Sequence, residues 1–272
     1  MGGRSGVAGV DVSDVEKWLD YLTRAGRSPA TIKSYRSTMR HYLPNPIGAS
    51  VEDVESWWAA QDDKTKPTRQ RLRNTVRSFY SWAIAFDLVE RDPTRRIPAP
   101  HQGRRLPRPI GRTDLRRAMD AADPEVRRAL ALGAYAGLRI SEAAALMWAD
   151  IDLEQRRIYV RAGKGDKDRV VALGALLYDE LAPAGTGSVV TGTDSVWSGD
   201  TLQRRVNRLF ARLGIETTFH KLRARFATVA LAESGNLLAV SRALGHASPA
   251  TTSIYALTSD EDLDRISVAV ER

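Results

Sequence analysis

Between residues 91 and 114 the chain reads RDPTRRIPAPHQGRRLPRPIGRTD, and prolines at 93, 98, 100, 107 and 109 rule out one continuous helix there. Each proline fixes φ and removes a backbone donor, so the stretch is expected to run extended between two separately folded parts. With 272 residues and 43% hydrophobic content, the chain can bury two modest cores. The implied boundaries are a first domain over residues 1–95, a basic linker over 96–112 and a second domain over 113–272.

The first part reads as four helices. Ser13 and Glu16 have the spacing of a capping box ahead of Val15, Trp18, Leu19 and Leu22. Ser28-Pro29 supplies an N-cap followed by proline at the first helical position, and Ile32, Tyr35, Met39 and Tyr42 then recur at helical spacing. That leaves Lys33, Arg36 and Arg40 on another face. A third helix is expected from Ser50, carrying Val51, Val54 and Trp58. The fourth, from about Thr68 to Leu88, aligns Leu72, Val76, Phe79, Ala83 and Phe86, while Arg69, Arg73 and Arg77 point elsewhere.

The second part is mixed but mainly helical. Helices are expected near 113–122 and 124–136, and from a Ser141 cap through Met147. Two β-branched runs, RRIYVR and RVVAL, flank AGKGDKD, whose glycines and aspartates signal a hairpin turn. Further helices are expected over 176–181, 201–213, about 221–233, 237–244 and 249–257.

The balance of 41 Lys+Arg against 33 Asp+Glu gives a net charge of +8, which favours a polyanionic partner. The excess sits in the first hundred residues and just after them: residues 101–117 carry six arginines against one carboxylate. Arginines there, Arg104 and Arg105 among them, suit a strap along a DNA backbone, since each phosphate neutralised releases counterions. Lys33, Arg36, Arg40, Arg69, Arg73 and Arg77 are candidate DNA contacts on the same ground, although such faces are often merely solvated.

The chain has no cysteine, which excludes disulfides, thiolate nucleophiles and the usual structural zinc sites. Its four histidines (His41, His101, His220, His246) have no metal-ligand spacing, and there is no Walker-type loop. Asp150/Asp152 and Asp166/Asp168 read as turn residues rather than as a two-metal carboxylate site. No metal or other cofactor is expected. With no run of eighteen apolar residues and no apolar stretch at the N-terminus, a cytoplasmic protein without a membrane partner is expected.

Four blocks remain: AGLRISEAAALMWADID from 136, GKGDKDRVVAL from 163, HKLRARFATVAL from 220 and LGHASPATTSIYAL from 244. Singly, each has a bland reading: a surface arginine, a polar hairpin lysine, a solvated helix start, a turn histidine ahead of a packed tyrosine. In this order they resemble the tyrosine recombinase (phage integrase) family, Xer-type recombinases included. The resemblance lies in Arg within G-L-R-x-S-E, Lys within G-K-G-x-K, the H-x-L-R box, and L-G-H followed nine residues later by Tyr.

The resemblance implies a mainly α fold: an N-terminal four-helix, SAM-like core-binding domain and a mixed α/β catalytic domain with a small antiparallel sheet. It implies that Tyr255 attacks a DNA phosphodiester to give a 3′-phosphotyrosine, with Arg139 and Arg223 holding the non-bridging oxygens. Lys164 would protonate the leaving 5′ oxygen, and His220 and His246 would bind the phosphate or handle the tyrosyl proton. The implied partners are double-stranded DNA and a homo-tetramer on paired sites; an accessory directionality factor is a further candidate partner that the sequence does not specify. About ten residues precede the first helix, so a member without an arm-type N-terminal module is expected. Residues 260–272, with Leu263, Ile266 and Val270 on one face, are a candidate for a helix exchanged with a neighbouring protomer, or one packed on its own domain. The sequence departs from the family at Ala224-Arg225, where relatives often have His-Thr, and after Tyr255, where Ala256-Leu257 replaces a common downstream histidine.

The chemistry asks for such a kit. Attack on a phosphodiester builds negative charge on the equatorial oxygens, which fixed cations must offset. Arginine binds phosphate through a planar fork and keeps its proton. A phenol, with an ordinary pKa of about 10, needs a base or a cationic field to become a nucleophile. Two alternatives use similar parts: a type IB topoisomerase that relaxes supercoils without joining two sites, and a DNA-binding regulator with an inactive recombinase fold.

Overall fold

The computed structural model describes residues 12–101, 108–161, 168–182, 185–245 and 252. The chain divides into two compact units, Met1–Arg104 and Arg105–Arg272.

The first unit holds helices α1 (Val12–Arg24), α2 (Pro29–Met39), α3 (Val51–Ala59) and α4 (Lys66–Ala85), then a 3₁₀ turn at Pro93–Arg96. The Ser28 hydroxyl caps α2 by accepting from the Thr31 amide, and Ser50 and Asp53 form a reciprocal capping box on α3. Two expected helix starts are corrected. α1 begins at Val12, ahead of Ser13, and the Glu16 carboxylate reaches across to Arg36 at 3.1 and 2.6 Å. α4 begins at Lys66 with Thr65 as its N-cap and Pro67 in its first turn, before the expected Thr68.

The core of this unit is aromatic. Trp18 stacks on Tyr35 at 5.3 Å and meets Phe79 edge-on at 5.5 Å, around the fully buried Val54 and Val76. Tyr42 and Tyr80 hydroxyls lie 3.2 Å apart, and Tyr80 donates to the Pro46 carbonyl at 2.7 Å. Ile97, inside the stretch read as linker, is buried in this core, so the chain stays packed beyond the 3₁₀ turn.

The second unit contains α5 (Arg112–Ala121), α6 (Pro124–Tyr135), α7 (Ile140–Ala145), a 3₁₀ turn at Trp148–Asp150, and strands β1 (Ile151–Asp152), β2 (Arg157–Val160) and β3 (Arg169–Ala172). Helices α8 (Ala175–Leu181), α9 (Gly199–Arg212), α10 (Phe219–Ser234) and α11 (Leu237–Leu244) follow. α6 is buried on all sides from Ala129 to Ala134, as its nearly unbroken apolar sequence requires, and lies against α5, α7, α8, α9 and α10. The sheet is antiparallel in the order β1-β2-β3, with Ile158 opposite Val171 and Val160 opposite Arg169. Ile158, Val160 and Val171 face the core while Tyr159 and Val170 face out, the period of a strand covered on one side. β1, only two residues long, has no periodic signature of its own in the sequence. Ser141 is not the cap of α7; Arg139 holds that position, and the Glu142 carboxylate accepts from its amide.

Of residues 246–272 only Thr252 is described, helical and fully buried. The helices expected over 249–257 and 260–272 otherwise lie outside the described residues. Among the described residues no helix is long and apolar enough to cross a membrane.

Candidate active site

The turn between α6 and α7 is set by Gly137, whose φ of +66° lies in the left-handed region. A Cβ there would also meet Phe226 Cδ1 of α10 at 2.6 Å, so the A-G-L-R sequence needs glycine for both conformation and space. The turn delivers Arg139 to the start of α7. Its Nη1 donates to Glu142 Oε1 at 2.7 Å, and its amide donates to Glu142 Oε2 at 2.8 Å.

His220 and Arg223 come from the first turns of α10. Arg223 is 2% exposed, and a guanidinium so deep requires partners. It donates through Nη1 to the Gly137 carbonyl at 2.7 Å and through Nη2 to the Leu244 carbonyl at 2.6 Å, and Nη1 stands 3.9 Å from Glu142 Oε2. One side chain thereby joins the turn before α7, the helix α10 and the C-terminal end of α11, where helix-end carbonyls favour a cation.

Glu142 gathers a further cation. Arg169, at the start of β3, donates Nη1 to Glu142 Oε1 at 2.9 Å and Nη2 to Oε2 at 2.7 Å, a bidentate pair. Burial is the largest single influence on the Glu142 carboxyl and pushes its pKa up. The Arg169 hydrogen bonds and charge, together with the backbone and side-chain hydrogen bonds from Arg139, outweigh it and hold the pKa at about 2. Glu142 is thus an anion at neutral pH, shared among three arginines.

His220 is open to solvent on one side, yet its pKa is lowered, first by partial burial and then by the Arg223 and Arg139 charges. Its imidazole is neutral at pH 7 and can accept a proton or a hydrogen bond. Three of the six predicted reactive residues, Arg139, His220 and Arg223, therefore stand together. The other three, Lys164, His246 and Tyr255, lie outside the described residues. The chain passes from the Leu244 carbonyl held by Arg223 through Gly245 directly to His246 in sequence.

Glu142 and Arg169 are absent from the predicted set. Glu142 stands in view within G-L-R-I-S-E, but Ser141 drew the capping role away from it. Arg169 reads as the polar end of a strand, with no local mark of its distant partners.

The predicted DNA-contact residues of the first unit divide. Lys33 and Arg40 are exposed. Arg36 is engaged by Glu16, and Arg69 pairs with Asp62 at 2.7 Å while lying over the Trp58 ring at 4.5 Å. Arg73 Nε donates to the Ile97 carbonyl at 3.0 Å, and Arg77 is half-buried. Arg104 and Arg105 lie outside the described residues.

Residues 110–262 match the Phage integrase family. "Tyrosine recombinase XerC" of Corynebacterium efficiens is 30% identical over 273 residues, covering 92% of this chain and 88% of that protein. "Tyrosine recombinase XerA" of Thermococcus kodakarensis is 30% identical over 262 residues, covering 92% of each. The crystal structure of a lambda integrase (75-356) dimer bound to a COC' core site matches with a TM-score of 0.75 at 19% identity, over 89% of this chain and 94% of that one, a likeness of fold. The chain belongs to the phage integrase family, the tyrosine recombinases. Its activity is that of a tyrosine-type site-specific DNA recombinase.

Proposed function

We propose that this recombinase cuts and rejoins DNA through Tyr255. The Tyr255 Oη attacks the scissile phosphorus, forming an Oη–P bond and breaking the bond to the 5′ oxygen. That oxygen leaves as a hydroxyl with a proton from Lys164, and the phenol proton passes to a neutral histidine, for which His220 is suited. Arg139 and Arg223 offset the charge that builds on the non-bridging oxygens, and His246 donates a hydrogen bond to the same phosphate. The phosphotyrosine stores the broken linkage, so a 5′-hydroxyl from a second duplex reseals it by the reverse step without an external energy source.

The observation that supports this reading is the gathering of Arg139 and Arg223 about Glu142, with His220 close enough to feel both guanidinium charges, from segments far apart in the chain. In this reading residues 1–95 clamp double-stranded DNA and residues 113–272 hold the chemistry. Four protomers act on two paired sites, in the cytoplasm and with a directionality factor as an added partner. Of the predicted contacts on the first unit, the exposed Lys33 and Arg40 are the best suited to phosphate.

A duplex nicked beside the cleavage position tests the proposal. Wild type should become covalently attached to the 3′ end, and Tyr255→Phe should bind the duplex without attachment. Attachment that persists in Tyr255→Phe overturns it.

A further inference from the structure

A guanidinium offers its N–H groups in a fixed planar fork, so an arginine whose every nitrogen is engaged fixes the relative position of whatever it touches. Arg169 is such a residue. Its side chain is 6% exposed, its two Nη atoms grip both oxygens of Glu142, and its Nε donates to the Ala243 carbonyl at 2.8 Å. Ala243 is 74 positions along the chain from Arg169, and Glu142 is 27 positions away. The contact therefore joins three elements that sequence does not bring together: the first turn of α7, the start of β3 and the last turn of α11.

Each of these elements leads to a group of the proposed reaction. Glu142 is the carboxylate that Arg139 and Arg223 also face. α11 ends at Leu244, whose carbonyl Arg223 holds, and His246 is two residues on. β3 follows the hairpin segment that carries Lys164, and Arg169 is paired with Val160 across its base. Gly245 accommodates the clamp: its φ is +67°, and a Cβ there would lie 2.9 Å from Arg169 Cδ. Without Arg169, the cations that remain on Glu142 among the described residues are Arg139 and Arg223, the two that the phosphate needs.

We propose that Arg169 is a positioning residue for strand cleavage: it occupies Glu142, so that the charge of Arg139 and Arg223 serves the scissile phosphate, and it anchors the end of α11 from which the chain enters His246. The role rests on the recombinase reading. Arg169 itself does not touch DNA in this role, so it should govern the rate of the chemical step and not the affinity for the site.

The test compares wild type, Arg169→Met, Arg169→Lys and the double variant Arg169→Met/Glu142→Gln on the nicked duplex. Affinity, single-turnover attachment rate and melting temperature are measured for each. The amide introduced by Glu142→Gln would keep an oxygen for the Arg139 backbone N–H while removing the charge that Arg169 neutralises. Arg169→Met should bind the duplex within about threefold of wild type and attach about 100-fold more slowly, the scale of a misplaced catalytic group. The double variant should recover about tenfold of that loss, a coupling that two independent sites would not show. Arg169→Lys, which keeps the charge but not all three contacts, should fall between wild type and Arg169→Met. Attachment by Arg169→Met at the wild-type rate overturns the proposal. So does a parallel fall of affinity, rate and melting temperature with no recovery in the double variant, which would mark Arg169 as part of the scaffold only. Should Arg169→Met not fold, the same split between rate and affinity is read from Arg169→Lys, and its absence overturns the proposal equally. Wild type that attaches to no DNA would instead overturn the recombinase reading.

Discussion

Arg223 donates through Nη2 to the carbonyl of Leu244 at 2.6 Å, so a buried guanidinium closes the C-terminal end of α11. The residue proposed to bind phosphate is also a structural staple, because its other Nη holds the Gly137 carbonyl. Arg223→Met should therefore cost stability as well as activity, about 3 kcal/mol in chemical denaturation, since it strands two carbonyls and part of a buried carboxylate's compensation. Arg223→Lys should keep much of the fold, and its attachment rate on the nicked duplex should fall about 100-fold, because one ammonium cannot span both carbonyls and a phosphate.

Glu142 makes the fold sensitive to acid. Its pKa is about 2 in the folded protein against an ordinary 4.5, so its contribution is fully present above pH 4.5 and is lost as pH falls through the window down to about 2. The shift corresponds to about 3 kcal/mol. Glu142→Gln should be less stable than wild type at pH 7, and the difference should narrow progressively below pH 4.5. Urea denaturation followed at a series of pH values reads this directly. A gap that stays constant down to pH 2 would show that the carboxylate's ionisation contributes nothing.

Acid also works against the His220 site, but for a different reason. Burial and the Arg223 and Arg139 charges disfavour its protonated form, so its folded pKa lies below the ordinary 6.5. Acidification below pH 6.5 should destabilise the protein until the folded pKa is passed, and the cleavage rate should hold down to a pH below 6.5 before falling. The imidazole midpoint measured by NMR should rise in Arg139→Gln, which removes one of the two opposing charges. An unchanged midpoint would mean that Arg139 does not act on the ring.

In the first unit, Tyr80 is bonded both to the Tyr42 hydroxyl and to the Pro46 carbonyl, while among the described residues Tyr42 is bonded through its hydroxyl only to Tyr80. Burial, the largest influence, pushes the Tyr80 phenol up to about 12 and the Tyr42 phenol up further, so both stay neutral across the working range. Tyr80→Phe should cost about 2 kcal/mol, because the buried Tyr42 hydroxyl and the part-buried Pro46 carbonyl each lose a partner. Tyr42→Phe should cost less, since Tyr80 keeps Pro46. Thermal denaturation of the two variants gives the order, and the reverse order would contradict the assigned network.

Much of this was legible in one dimension because local physics wrote it there. The apolar stripe of α4 and the caps at Ser28 and Ser50 are short-range effects, and the helices α5, α6, α8, α9 and α11 begin and end within a residue or two of their expected limits. Arg139, His220 and Arg223 stand out as candidates because each sits in a compact motif. The basic face of α4 was legible only in part. Periodicity sends Arg69 and Arg73 away from the apolar stripe, but their long side chains fold back onto Trp58 and Ile97.

The sequence by itself determined the helices, the hairpin strands and the order of the reactive motifs, since these follow from backbone preference and from periodicity within a few residues. Only the tertiary structure decided that Glu142 would be the common counter-ion, that Arg169 would clamp it, and that Arg223 would be spent on two carbonyls as well as on charge. Those contacts join residues 21 to 86 positions apart, and hydrogen bonds over such separations leave no local pattern in the chain that makes them.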